Sequence, residues 1–116
     1  MKAVLVSALL VAAFASPAFA KDFTSAQKSK LQETVRQRLL DADSAKFTLP
    51  PYKGGKVYCG LVNSKNTYGG YAGNAIFQVF VVTPTLFEFM GLGTADPENT
   101  HSMTLRQTCE QEGYKF

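Results

Sequence analysis

Residues 74–83 read NAIFQVFVVT. Apart from Gln78, β-branched and aromatic side chains fill both the odd and the even positions from Ile76 to Val82. A strand with apolar side chains on both faces is typical of the middle of a sheet that is covered on each side. The run therefore predicts a central strand, and the rest of the fold is expected to assemble around it.

Shorter strands are predicted before and after this one. Residues 45–49 alternate apolar and polar side chains, which is the period of a half-buried strand. Residues 56–62 have two faces, one with Val57, Cys59 and Leu61 and the other with Tyr58, Gly60 and Val62. Residues 86–90 resume the alternation, and residues 91–93 are expected to end the sheet. Together these segments predict a meander of three or four antiparallel strands.

Two helices are predicted to flank the sheet. Residues 24–27 (Thr-Ser-Ala-Gln) form a capping box, and the helix that follows is expected to run to about Leu40. Its apolar stripe consists of Leu31, Val35, Leu39 and Leu40. The second helix begins at a cap on Asp96 or on Thr100 and ends at Gly113, before a short tail. Leu105 and Cys109 lie on one face of it.

The first twenty residues have the three parts of a secretory signal. Lys2 is a basic start, residues 3–14 are an apolar run, and Ala18 and Ala20 occupy the positions that signal peptidase reads. The apolar run is too short to span a bilayer, which needs about 20 residues. We therefore expect a cleaved signal peptide over residues 1–20 and a single α+β domain over residues 21–116. The product is expected to be periplasmic or secreted, with no membrane span after processing.

The two cysteines, Cys59 and Cys109, both lie in the part expected to be exported. An oxidising compartment and an even cysteine count favour a disulfide between them. The alternative is that Cys59 is a nucleophile and His101, the single histidine, is its base. With the disulfide, the fold prediction is an α+β domain with an antiparallel three- to four-stranded sheet, flanked by an N-terminal and a C-terminal helix.

Charge and residue types narrow the function classes. Residues 21–116 contain eleven basic and nine acidic residues, a net charge of +2. Nucleic acids bind protein surfaces on which basic residues are clustered. The basic residues here are scattered, so no nucleic-acid partner is expected. One histidine and two paired cysteines do not supply a usual zinc or iron site. We expect no metal and no cofactor.

Residues 63–74 form a polar, glycine-rich connection between two predicted strands. The connection is longer than the roughly two to five residues that a hairpin loop needs, and Tyr with Gly, Ser and Asn is typical of recognition loops. The candidate binding residues are Asn63, Lys65, Asn66, Tyr68, Gly69, Gly70 and Tyr71. The alternative is a structural hairpin loop whose tyrosines pack over the sheet. The glycine spacing does not fit a phosphate-binding loop.

Two blocks of the sequence resemble a group of small exported bacterial proteins with no assigned function. The first block is D-S-A-x-F at residues 43–47, and the second is C-G-x-V-N-x-K-N-x-x-G-G-Y-x-G at residues 59–73. The resemblance covers about residues 41–77. It implies no activity and no catalytic residue, only that residues 59–73 form a unit.

These observations favour a small secreted or periplasmic, non-catalytic binding protein of the inhibitor, immunity or envelope-docking type. Its expected partner is an envelope or extracellular protein or a glycan. The alternative is a small extracytoplasmic hydrolase that uses Cys59 and His101, or a carboxylate pair that includes Glu88. Four other acids stand at the predicted helix ends, where capping and the helix dipole explain them: Asp41, Asp43, Asp96 and Glu98. No catalytic residue is predicted.

Overall fold

The structure is a computed structural model that describes residues 22–116. The signal peptide predicted over residues 1–20 lies outside the described residues.

The sheet has four antiparallel strands in the order β1-β2-β3-β4. The strands are β1 (Lys46–Thr48), β2 (Val57–Asn63), β3 (Ala75–Thr83) and β4 (Leu86–Leu92). The predicted central strand is β3, which pairs with β2 on one side and β4 on the other. Strand β4 continues through Leu92, two residues beyond the predicted Met90, and the sheet ends within residues 91–93 as predicted. An irregular register between Gln78 and Val79 on β3 lets the ladder continue past Met90.

Helix α1 spans Ser25–Arg36 and begins with the predicted capping box. Thr24 Oγ1 accepts from the Gln27 backbone N–H at 3.2 Å, and the Gln27 side chain accepts from the Thr24 N–H at 2.8 Å. The predicted end near Leu40 is wrong, because the chain tightens after Arg36 and the Leu39 N–H bonds to the Arg36 carbonyl. Leu40 is 71% exposed and therefore does not widen the apolar stripe.

Helix α2 spans Thr100–Gln111, and its N-cap is Asn99. Asn99 Oδ1 accepts from the Ser102 N–H at 3.0 Å, so neither predicted cap is correct. Asp96 instead accepts from the Glu98 N–H at 2.9 Å and shapes the turn before the helix. The helix ends at Gln111, with Glu112 as its C-cap directly before Gly113, as predicted.

The two helices cover opposite faces of the sheet. One row of paired residues consists of Cys59, Gln78 and Gly91, and the next row consists of Tyr58, Val79 and Phe89. Adjacent rows point to opposite faces. Cys59 is bonded to Cys109 of α2, whereas the guanidinium of Arg38, just after α1, lies 4.9 Å from the Phe89 ring centroid. The predicted α+β fold, with its flanking helices and its disulfide, is confirmed.

The predicted tail after α2 begins with a core residue. Tyr114 is 1% exposed, and its ring meets the Tyr58 ring edge-on at 5.3 Å. Its hydroxyl accepts from the Lys53 N–H at 3.0 Å, and burial raises the pKa of Tyr114 to about 12. At the other end of the described residues, the Phe23 ring stacks on Tyr52 at 4.3 Å. Residues 114–116 form the predicted short tail after α2, and its first residue, Tyr114, packs into the core.

Candidate binding loop

The β2–β3 loop (residues 64–74) continues the antiparallel pairing of β2 and β3 beyond the two strands and then turns back. Lys65 and Tyr71 form an isolated antiparallel bridge, and the Ala72 N–H donates to the Ser64 carbonyl at 3.0 Å. At the tip, the Asn66 N–H donates to the Gly70 carbonyl at 2.8 Å and the Gly69 N–H donates to the Asn66 carbonyl at 3.0 Å. The extra length of this connection therefore forms one more antiparallel pair and a hydrogen-bonded turn beyond the strands.

Two of the predicted binding residues hold this turn from inside. Asn66 Oδ1 accepts from the N–H groups of Tyr68 at 2.9 Å and Gly70 at 3.3 Å. Asn63 Oδ1 accepts from the Gly73 N–H at 3.0 Å. Such side-chain bonds to nearby backbone groups are the usual way in which asparagine shapes a turn. The side-chain oxygens of Asn63 and Asn66 therefore accept hydrogen bonds from the loop's own backbone.

Two glycines of the loop have left-handed backbone conformations. Gly69 has φ of 83° and Gly73 has φ of 103°. A Cβ at Gly73 would also lie 2.8 Å from the Cβ of Ala95, so this position is closely packed against the segment before α2. Gly69 has open space around it and needs only the backbone freedom.

The loop is also tied to the 3-10 helix Ala42–Ser44, which precedes β1. Ser44 Oγ accepts from the Lys65 N–H at 2.9 Å, and the Ser44 carbonyl accepts from the Tyr71 hydroxyl at 3.1 Å. Ser44 belongs to the D-S-A-x-F block, and Lys65 and Tyr71 belong to the second block. The two blocks quoted from the sequence thus meet at one end of the sheet.

Two aromatic side chains of the loop face solvent. Tyr68 is 94% exposed and Tyr71 is 42% exposed. The Nζ of Lys46 lies 4.4 Å from the centroid of the Tyr71 ring, and the Nζ of Lys65 lies 5.7 Å from it. Sequence reasoning named Lys65 and both tyrosines but missed Lys46 and Ser44. The signal for these two residues was the D-S-A-x-F block itself, since Ser44 is its second residue and Lys46 its fourth.

The lysines beside Tyr71 have no carboxylate partner in the described part of the chain. The ion pair found within residues 22–116 joins Lys28 and Asp22 at 3.3 Å, far from the loop in sequence. Asp41 and Asp43 precede Ser44, yet neither carboxylate comes within 4 Å of a lysine nitrogen in residues 22–116. The loop surface therefore presents two cations and two exposed tyrosine rings.

A small apolar hollow lies beside the loop. Its volume is about 220 Å³, and its walls include Leu39, Val62, Ala72 and Leu92. Pockets for drug-sized ligands are usually about 300–1,000 Å³. The hollow is large enough for a single apolar side chain rather than for a cofactor.

The groups considered for hydrolysis are separated. Cys59 is bonded to Cys109 and has no thiol. His101 is exposed and precedes Cys109 by eight residues, about 12 Å along a helix. Glu88 lies in a groove with Thr34, Gln37, Arg38, Phe87 and Phe89, without a second acid among these described residues. Within residues 22–116 no three His, Cys, Asp or Glu side chains are grouped so that they could hold a metal ion.

Comparisons with protein-family models, with curated proteins and with solved structures find no match to this chain. In the described part of the chain, no helix combines the length and the apolar character that crossing a bilayer requires. The disulfide indicates an oxidising environment outside the cytoplasm.

Proposed function

We propose that this protein is an exported, non-catalytic binding protein that contacts an envelope or extracellular protein or a glycan through its β2–β3 loop. One observation carries the proposal: Tyr68 is 94% exposed at the tip of a loop whose backbone is held by the side chain of Asn66. A role as an inhibitor, an immunity protein or an envelope-docking protein fits this surface. The resemblance to small exported bacterial proteins agrees with it.

A fixed backbone beneath an exposed tyrosine favours binding for an energetic reason. Ordering a loop on binding costs free energy, and a loop that is already ordered avoids that cost. Tyrosine adds a large contact area with few rotatable bonds. Here oxygens of Asn63, Asn66 and Ser44 accept five hydrogen bonds from the loop, four from backbone N–H groups and one from a tyrosine hydroxyl. Partner contacts would therefore be left to the side-chain atoms that these bonds do not use.

Export through a cleaved leader is part of the same proposal, and it makes the first prediction. The protein expressed with its own leader should be recovered from the periplasm or the medium with Lys21 as its first residue. Intact-mass spectrometry measures this, because the expected mass lacks residues 1–20. A periplasmic product that keeps those residues would contradict the expected cleavage, while the disulfide would still require an oxidising compartment.

The second prediction separates a recognition loop from a scaffold loop. Tyr68→Ala should change the free energy of unfolding by no more than about 0.5 kcal/mol, because the ring is exposed. Tyr71→Ala should cost about 1 kcal/mol, since it removes the hydrogen bond to the Ser44 carbonyl. If either ring packed as core, the loss would instead be several kcal/mol. Thermal and urea unfolding of both variants measure the difference.

Partner capture completes this test. The exported protein and its variants are used to capture proteins and glycans from an envelope extract, and any captured component is then titrated in purified form. Tyr68→Ala should weaken its binding by about 2 kcal/mol, or about thirtyfold in Kd. The control is Leu86→Ala, which changes a residue that is 53% exposed at the hairpin on the opposite end of the sheet. Equal binding by the wild type, Tyr68→Ala and Leu86→Ala would overturn the proposal.

A further inference from the structure

We propose that Lys46, Lys65 and Tyr71 form a site for a carboxylate side chain, and that the partner binds this loop through an acidic protein segment. The inference rests on the proposed function and adds the chemistry of the partner. Its basis is the arrangement of two ammonium groups around one anchored ring.

The ring of Tyr71 is fixed at both ends of its side chain. Its backbone pairs with Lys65 in the bridge below the loop tip, and its hydroxyl donates to the Ser44 carbonyl at 3.1 Å. The two lysine nitrogens, 4.4 and 5.7 Å from the ring centroid, are therefore within about 10 Å of each other. Lys46 comes from β1 and Lys65 from the loop, so the tertiary structure creates this cation pair.

The electrostatics of the pair favour an anion. Like charges at a separation of about 10 Å or less still repel each other at physiological ionic strength, where the Debye length is about 8 Å. Neither lysine has a carboxylate within 4 Å in residues 22–116, so no ion pair within the described chain neutralises the two charges, and their shared neighbour is the uncharged Tyr71 ring. A carboxylate that approaches both ammonium groups relieves their repulsion and gains charge-assisted hydrogen bonds.

The surroundings favour an acidic protein segment over other anions. A sugar would bind Tyr71 by stacking on its ring, but a lysine ammonium already lies 4.4 Å from the ring centroid. Nucleic acids and anionic membranes need longer cationic surfaces than two lysines supply, and residues 21–116 as a whole have a net charge of only +2. A peptide segment can place one carboxylate at the lysines and an apolar side chain on the neighbouring Tyr68.

The test uses a probe of defined chemistry. The isotopically labelled protein, exported with its own leader, is titrated with an N-acetylated, C-amidated peptide in which glutamate alternates with glycine. We expect the amide signals of Lys46, Lys65 and Tyr71 to shift with the glutamate peptide and not with its glutamine counterpart. The shifts should diminish as salt is added, because exposed ion pairs are screened. Unmoved amides, or equal shifts with the glutamine peptide, would overturn the inference.

Matched variants localise the effect. The K46Q/K65Q variant should bind the glutamate peptide at least about fivefold more weakly, whereas K30Q/K56Q, with the same net charge and substitutions at exposed sites elsewhere, should bind as the wild type does. An equal loss in both variants would contradict a local site. If K46Q/K65Q does not fold, the salt and glutamine titrations of the wild type still decide the question.

The two proposals fail in different ways. If a sulfated oligosaccharide shifts the same three amide signals and the glutamate peptide shifts none, the inferred partner becomes an anionic glycan in place of an acidic protein segment. If the glutamate peptide does not bind but capture of a partner still depends on Tyr68, only the proposed partner chemistry is removed. Failure of Tyr68-dependent capture, in contrast, would remove the proposed function itself.

Discussion

Replacing Cys59 and Cys109 together with alanine should lower the free energy of unfolding by about 4 kcal/mol. The disulfide joins residues 50 positions apart in the sequence, and cross-linking a loop of this length restricts the unfolded chain by about that amount in the chain-entropy model. Domains of this size have a total stability of about 5–15 kcal/mol. The double variant is therefore expected to unfold at a much lower urea concentration than the wild type.

The contacts around the disulfide add to this expectation. Cys59 and Cys109 are fully buried, and the Gln78 amide nitrogen lies 3.9 and 3.7 Å from their two sulfur atoms. Gln78 is 4% exposed, so without the sulfurs its amide would be buried with no partner, which is costly. Urea unfolding of the oxidised wild type and of the double variant measures the loss. A loss below about 1 kcal/mol would contradict the chain-entropy account.

The sequence was most informative where one local pattern decided a whole element. The apolar residues from Ile76 to Val82 indicated the central strand, and the capping box at Thr24 indicated the start of α1. The cysteine count was sufficient for the pairing, since two cysteines in an oxidising compartment have one intramolecular partner each. In these three cases the deciding information lay within a few residues, or in a count.

The sequence was least informative where contacts distant in the sequence decide the structure. Tyr114 follows the helix-ending Gly113 and was expected in a tail. Its hydroxyl bonds to Lys53, 61 residues earlier, and no local pattern contains that contact. The cap of α2 was misplaced for a different reason, because Asp96, Asn99 and Thr100 are all good N-caps. The backbone geometry selects Asn99.

For the candidate site, residue types were easier to predict than roles. Asn63 and Asn66 were proposed as partner contacts because asparagine is common in recognition loops, yet their side-chain oxygens bind the loop's own backbone. Exposure of Tyr68 follows from its place at the tip of the turn. The link from Ser44 to Lys65 spans 21 residues, so only the joint appearance of the two sequence blocks pointed to it.

The glycines of the second block provide the other large predicted effect. A Cβ at Gly60 would lie 2.5 and 2.7 Å from two carbons of the Phe77 ring and 3.0 Å from the Thr48 carbonyl oxygen. Phe77 is fully buried, and the Phe47 ring packs edge-on against it at 6.0 Å. Because a fully buried ring can move only by displacing its neighbours, Gly60→Ala should cost about 3 kcal/mol through overpacking.

Gly69 and Gly70, nine and ten residues further along and in the same block, provide controls of graded size. A Cβ at Gly70 would meet nothing within 4 Å, and its φ is not positive, so Gly70→Ala should change stability by no more than about 0.5 kcal/mol. A Cβ at Gly69 also has open space, but φ is 83°, so Gly69→Ala should cost about 1 kcal/mol through backbone strain. Urea unfolding of the three variants should therefore rank Gly60→Ala as the most destabilising, Gly69→Ala next and Gly70→Ala last. A Gly60→Ala variant as stable as Gly70→Ala would show that the Phe77 ring can move, and the close packing of β2 against β3 would then not explain why a glycine stands at position 60.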